Sequence, residues 1–256
     1  MAEIVFSSTN DSTVFNRHNG TDVSNVIGDA STSGTGFNNT STTQTNGVLN
    51  RTFAVRGSSD SSFRCNRSFF EYDLSGFTGT ATDADFYFFT DNLGGSAGTE
   101  NTIFVVEATP LAGSTADFGN VFSSGTTVGT SFGSVQVSTT NQYHVVNGNS
   151  DLLTAINNKV GSGTLTVGVM GKYDYTIATG TSAAASWPSI GATDHHRVQL
   201  IFADNSGTGK DPYLEITGIS VATGGYGHNV SGVAAANIGN INGVATANIG
   251  KVNNVD

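Results

Sequence analysis

The chain predicts an all-β fold of sandwich or barrel type followed by a repetitive tail. Three observations carry this reading: short apolar runs with period-two alternation, Gly/Ser/Asn clusters separating them, and a near-perfect eleven-residue repeat at the C-terminus. With 256 residues the chain is long enough for one large β domain. We expect that domain over residues 1–222 and an assembly tail over 223–256.

Residues 1–62 alternate short apolar pieces at 4–6, 48–49 and 52–55 with long polar connections. The stretch 30–47 is almost wholly Ser, Thr, Gly, Asn and Gln around Phe37, the composition of a surface loop or a distorted edge. Strand signals then strengthen. Ser68, Phe70, Tyr72 and Leu74 fall on one face of an extended run, with Phe69, Glu71 and Asp73 on the other. Residues 83–90 and 103–108 read as two further strands. Leu165, Val167 and Val169 alternate with Thr164, Thr166 and Gly168, and runs at 198–203 and 213–217 close the domain. One helix is expected: Ser150 or Asp151 caps it, Leu152, Leu153, Ile156 and Val160 form its apolar stripe, and Gly161 stops it. Its length suits packing across an open end of the sandwich.

The tail repeats Val230, Val233 and Ile238 as Ile241, Val244 and Ile249, then as Val252 and Val255. An eleven-residue period could describe a helical supercoil, but two glycines per full unit (Gly232 and Gly239, Gly243 and Gly250) defeat a helix. Short extended pieces joined by turns fit better. So few apolar side chains per unit cannot bury themselves alone, so Val230, Val233, Ile238, Ile241, Val244 and Ile249 are expected to meet copies of the same chain, most simply as a trimer, or a symmetric partner surface. The plain alternative is an unstructured low-complexity end.

Charged residues make up only 12% of the chain and the net charge is -10, with no Lys/Arg cluster. Nucleic acid and anionic membrane are therefore not expected partners. No apolar run is long enough to span a bilayer, and the first residues lack the pattern of a secretory signal, so synthesis in the cytosol is expected. Cys65 is the only cysteine. Cytosolic synthesis combined with a low-charge, Thr/Asn/Gly-rich surface fits a virion component, which leaves its host cell by lysis.

Candidate chemistry is sparse. Cys65 lies near Arg64 and Arg67, but no motif joins it to His144, His195 or His196, and a structural thiol is expected. His195 and His196 are adjacent, so on a strand they point to opposite faces and do not share one ion. Glu71, Glu107 and Glu215 lie in strands as face residues, with Arg67 expected to pair with one of them across the sheet. Gly94, Gly95 and Gly98 lack the strand-to-helix setting of a phosphate loop. Aromatics in loop-like or strand-end contexts are more informative, because sugars bind through ring faces: Tyr143, Tyr173, Tyr175, Trp187 and Tyr226. Trp187 with Tyr173 and Tyr175 form the expected carbohydrate-binding set, the alternative for each being a place in the core.

The stretch RSFFEYDLSGFTGTATDADFYFF at 67–89 resembles the recurrent pattern of DNRLRE-type domains, jelly-roll modules related to carbohydrate-binding modules. The later DLLTAINNK, GTLTVGVM and KDPYLEITG segments follow in the same order, and the resemblance spans about 10–218, with 110–142 departing from it in composition. It implies a jelly-roll β-sandwich. No cofactor is expected; such modules often carry a structural calcium, and Asp73, Asp83, Asp85 and Asp204 lie near strand ends, but without EF-hand spacing they read as solvated loop carboxylates. The tail is similar to endings of structural proteins of marine tailed phages. Together the two resemblances imply a non-enzymatic virion protein, a capsid decoration or a fibre or spike component, with other virion proteins and its own copies as partners. The alternatives are a carbohydrate-binding module for host-surface attachment and, without a convincing catalytic set, a polysaccharide-degrading enzyme.

Overall fold

The computed structural model describes residues 2–8, 11–19, 34, 36–39, 62–94, 101–181, 197–203, 208–222, 240–241 and 244–245. They form two antiparallel sheets packed as a jelly-roll-like sandwich. One sheet runs β1 (Ala2–Phe6), β13 (Tyr213–Val221), β5 (Phe77–Gly94), β10 (Gln142–Asn147), with β12 (Arg197–Leu200) also pairing with β5. The other runs β3 (Gly36–Asn39), β2 (Ser12–Asn19), β4 (Ser62–Asp73), β11 (Thr164–Gly171), β6 (Thr102–Glu107), β9 (Ser131–Gln136). The first and last strands of the sandwich, β1 and β13, lie side by side, with Phe6 opposite Tyr213.

Alternation decides what each sheet buries. On β4, Phe70, Tyr72 and Leu74 point between the sheets and are fully buried, as their spacing predicts. They meet Phe86 and Phe88 of β5, Val167 and Val169 of β11, and Leu214 and Ile216 of β13 in the main core. Phe70 sits 5.7 Å from the Phe86 ring and 5.4 Å from Phe202. Gly79 and Gly218, both at positive φ, approach each other where the β5 and β13 register shifts; a Cβ on Gly79 would stand 2.6 Å from the Gly218 carbonyl oxygen.

The expected helix is present as α1 (Ser150–Asn157). Its cap is one residue earlier than the sequence predicts: the Asn149 side chain accepts hydrogen bonds from the Asp151 and Leu152 amides. Leu152 and Ile156 enter the core, and Gly161 takes φ +75° beyond the last turn. Asn157 ties the helix to β5 by accepting from the Ala81 amide at 2.7 Å and donating to the Ala81 carbonyl at 3.1 Å.

The second α helix, α2 (Lys172–Ala178), corrects the expectation of one helix and places Tyr173 and Tyr175 on a helix, not in a loop. It packs on the outer face of the six-stranded sheet with a 3₁₀ helix (Thr115–Val121) and the small hairpin of β7 (Phe122–Ser124) and β8 (Thr127–Val128). A second apolar cluster forms there from Val14, Phe69, Val106, Phe118, Val121, Phe122 and Met170. Asp117 organises its approach, accepting from the Ala112, Gly113 and Ser114 amides and from Asn120 Nδ2.

Arg67 belongs to this cluster, and its partner is not a strand glutamate as expected. Being odd-numbered like Phe69, it points away from the main core. Its Nε and Nη2 donate to the two carboxylate oxygens of Asp174 on α2 at 2.7 and 2.9 Å, and Nη1 donates to the Phe118 carbonyl at 2.8 Å. The guanidinium lies 3.9 Å from the Phe118 ring centroid. In the tail, Asn240–Ile241 (β14) pairs with Val244–Ala245 (β15), Ile241 opposite Val244. The intervening residues are Asn242 and Gly243, the pair favoured in two-residue hairpins. Val230, Val233, Ile238 and Ile249 lie outside the described residues.

Two stability measurements check this packing. Arg67→Ala leaves the Asp174 carboxylate buried without its partner and should cost about 3–5 kcal/mol in urea unfolding; a loss under 1 kcal/mol would show that the pair is solvated. His144 is held below the ordinary histidine value by burial, only partly offset by its Nε2 hydrogen bond to the Thr139 carbonyl. Its folded value is the lower one, so the unfolded chain binds the extra proton. This contribution is complete above about pH 6.5 and is lost as pH falls through the folded value. His144→Gln should flatten the stability profile across that acidic window, read as the difference from wild type.

Candidate functional site

The outer face of the five-stranded sheet carries a row of aromatic side chains. On β5, Phe86 and Phe88 face the core, which puts Asp85, Tyr87 and Phe89 on the opposite face. Tyr213 and Glu215 of β13, Phe6 of β1 and Tyr143 of β10 share that face. Register then sets them side by side, Phe6 opposite Tyr213, Tyr213 opposite Tyr87, and Phe89 opposite Tyr143.

The rings form one continuous chain of contacts. Tyr87 and Tyr213 stack at 4.6 Å with 10° between planes, and Phe6 and Tyr143 meet Tyr213 edge-on at 5.8 and 5.3 Å. Tyr143 also meets Phe89 edge-on at 5.4 Å, and Lys210 Nζ lies 4.9 Å from the Phe89 ring. Four strands at about 4.8 Å spacing make the row roughly 14 Å long. Phe6 is 39% exposed and Ile4, two residues before it on the same face, is 54% exposed.

The polar groups of this face are carboxylates and phenols. Glu215 pairs in register with Asp85 one step along from Tyr213 and Tyr87. Burial, then the Glu215 and Asp85 carboxylates and the Tyr213 phenol, raise the Tyr87 phenol above its ordinary value; burial and Glu215 do the same for Tyr213. Tyr143, pushed up to about 12 by burial and by the neighbouring Tyr213 and Asp211, donates to the Asp211 carbonyl at 3.0 Å. All three phenols therefore stay protonated at physiological pH; the Tyr143 hydrogen is already given to the Asp211 carbonyl, so toward a further group that hydroxyl accepts. Ring surface beside fixed hydroxyl and carboxylate groups is what a polyhydroxylated ligand requires.

Tyr143, one of the aromatics weighed for sugar contact but outside the expected set of Trp187, Tyr173 and Tyr175, is in this row. Tyr173 and Tyr175 come together on α2, against the other sheet, where Tyr175 stacks on Phe104 at 4.1 Å and 6° and Lys172 Nζ lies 5.7 Å from the Tyr173 ring. Trp187, Tyr226, His195, His196 and Asp204 lie outside the described residues. The sequence reading missed Phe6, Tyr87 and Tyr213. Their signal was present in the alternation, since Tyr87 shares a face with Asp83 and Asp85, and Tyr213 with Glu215.

Of the carboxylates considered for calcium, Asp83 and Asp85 share one face of β5 and Asp73 lies on β4 of the other sheet. Asp73, at the end of β4, accepts from the Ser75 amide, and hydrogen bonding with Ser75 lowers its carboxyl below the ordinary value. Asp85 accepts from the Gly148 amide. Among the described residues no group of three or more His, Cys, Asp or Glu side chains is placed to hold a metal ion, and no helix is long and apolar enough to cross a membrane. Cys65 is buried on β4.

No family model matches the sequence, and no curated protein is significantly similar to it.

The hydrogen bond that fixes the Tyr143 edge of the row gives a direct check. Tyr143→Phe keeps the ring contacts and removes the bond to the Asp211 carbonyl, so it should lower unfolding stability by about 1 kcal/mol. An unchanged midpoint in urea would mean that water replaces the phenol there.

Proposed function

We propose that the chain is a non-enzymatic virion structural protein, a capsid decoration or a fibre or spike component, whose displayed sandwich binds host-surface glycans. The observation that carries this reading is the Phe6–Tyr213–Tyr87–Tyr143 row, an aromatic stripe the length of a short oligosaccharide, exposed at Phe6 and half-buried at the three tyrosines, with phenols and carboxylates along its side. Sugar rings present apolar C–H faces and a rim of hydroxyls, so a surface of this mixed character complements them. The eleven-residue repeat supports the assembly half: its Ile241 and Val244 pair in a hairpin too small to form a core of its own. Val230, Val233, Ile238 and Ile249 repeat the same apolar pattern for contact with further copies or with a particle.

The test combines a glycan array with purified particles. Tyr213→Ala removes the ring at the centre of the row and should weaken glycan binding about tenfold, roughly 1.4 kcal/mol, while Tyr87→Phe, which retains the stacking, should weaken it less. Binding unaffected by Tyr213→Ala would move the glycan site elsewhere. Self-association through this face, seen as a mass increase abolished by Phe6→Ser, would make the row a protein interface instead. Deleting residues 223–256 should abolish incorporation into particles and reduce the oligomer mass in light scattering. A truncated chain that incorporates like the full one would remove the assembly role from the tail.

A further inference from the structure

A cleft of about 270 Å3 opens on the six-stranded sheet, remote in sequence and topology from the aromatic row. It lies where β6 ends and β11 begins, with Lys159 following α1 on one side and Asn120 and Ser123, from the 3₁₀ helix and β7, on another. Sites for drug-sized ligands run from about 300 Å3 upward. The cleft is therefore suited to a single sugar ring or an amino-acid-sized molecule.

Two features of its lining point to a ligand. Glu107 and Lys159 both border the cleft, yet neither side chain makes an ion pair or hydrogen bond among the described residues. The chain has twenty acidic and ten basic residues, so a lysine that borders a cleft together with a glutamate and pairs with no carboxylate among the described residues is an unusual use of a scarce cation. Thr166 is the second feature. It is only 3% exposed, it borders the cleft, and its hydroxyl hydrogen-bonds nothing among the described residues. The little surface it keeps includes this hydroxyl, which is therefore open to the cleft and free to bond a ligand there. Asn120 differs, since its Nδ2 is engaged by the Pro110 carbonyl and Asp117.

We propose that this cleft binds one small carboxylate-bearing molecule, its carboxylate on the Lys159 ammonium and its N–H or O–H donors on Glu107, with Thr166 hydrogen-bonding between them. Two sources share this chemistry, a sugar acid and a free amino acid. A ligand with one negative charge and donors opposite it satisfies both unpaired groups. A neutral hexose leaves Lys159 without a counter-charge, and a simple amine leaves it facing a like charge.

Amide-resolved NMR titration of the full chain with sodium glucuronate, alanine and glucose tests the proposal. Saturable shifts confined to residues 107–109, 120–123 and 164–166 are expected with glucuronate or alanine in the millimolar range, and whichever of the two produces them identifies the source. Lys159→Met and Glu107→Gln should each weaken that binding at least about tenfold with melting temperatures unchanged, because neither side chain has an ionic or hydrogen-bonded partner among the described residues to lose. Tyr213→Ala should leave it untouched, which separates this site from the glycan row. Absence of saturable shifts with both acids, equal binding of glucose, or full affinity in both charge variants would overturn the proposal.

Discussion

The buried Arg67–Asp174 pair is the constraint around which the rest of the molecule is arranged. A guanidinium with no exposed surface is stable only where every charge and donor is answered. Here two parallel N–H bonds reach one carboxylate, a third reaches the Phe118 carbonyl, and the Phe118 and Phe122 rings lie 3.9 and 5.0 Å from the cation. Those partners come from three elements other than β4: α2, the 3₁₀ helix and β7. The pair thereby fixes how the cover sits on the six-stranded sheet. With the outer face of that sheet covered, the five-stranded sheet is left to carry the row of rings on its own outer face.

Most of the sandwich was legible in the sequence because its strands carry charge on one face only. Phe70, Tyr72 and Leu74 alternate with Glu71 and Asp73, and Phe86 and Phe88 follow Asp83 and Asp85 in the same rhythm, so period two and burial agree without tertiary information. Helix α2 was not legible for the opposite reason. It has seven residues, its N-cap is Gly171 with no side-chain hydrogen bond, and its sequence KYDYTIA favours neither helix nor strand. What holds it is non-local: Asp174 on Arg67, and Tyr175 on Phe104.

The candidate site was legible in its chemistry and not in its membership. Aromatic rings beside polar side chains were the signal used, and it reached Tyr143 of the row. Yet Tyr87 and Tyr213 are 126 positions apart in the chain, and only the pairing of β13 with β5 brings them to 4.6 Å. The same limit explains the Arg67 assignment. A strand arginine surrounded by strand glutamates invites a cross-sheet pair, whereas the carboxylate that meets it lies 107 residues away on a helix that the sequence did not announce.

Strand β5 joins stability to function through a single alternation. Its Phe86 and Phe88 hold the core, while Tyr87 and Phe89 between and beyond them build the row, so the backbone that the core immobilises also immobilises the rings outside it. The rings restrain one another further: Tyr213 touches Phe6, Tyr87 and Tyr143, and Tyr143 is pinned to Asp211. Ordering a loose side chain on binding costs about 0.5–1.5 kcal/mol. Tyr213, already held by three neighbouring rings and a rigid strand, would avoid much of that cost in the binding proposed for this row.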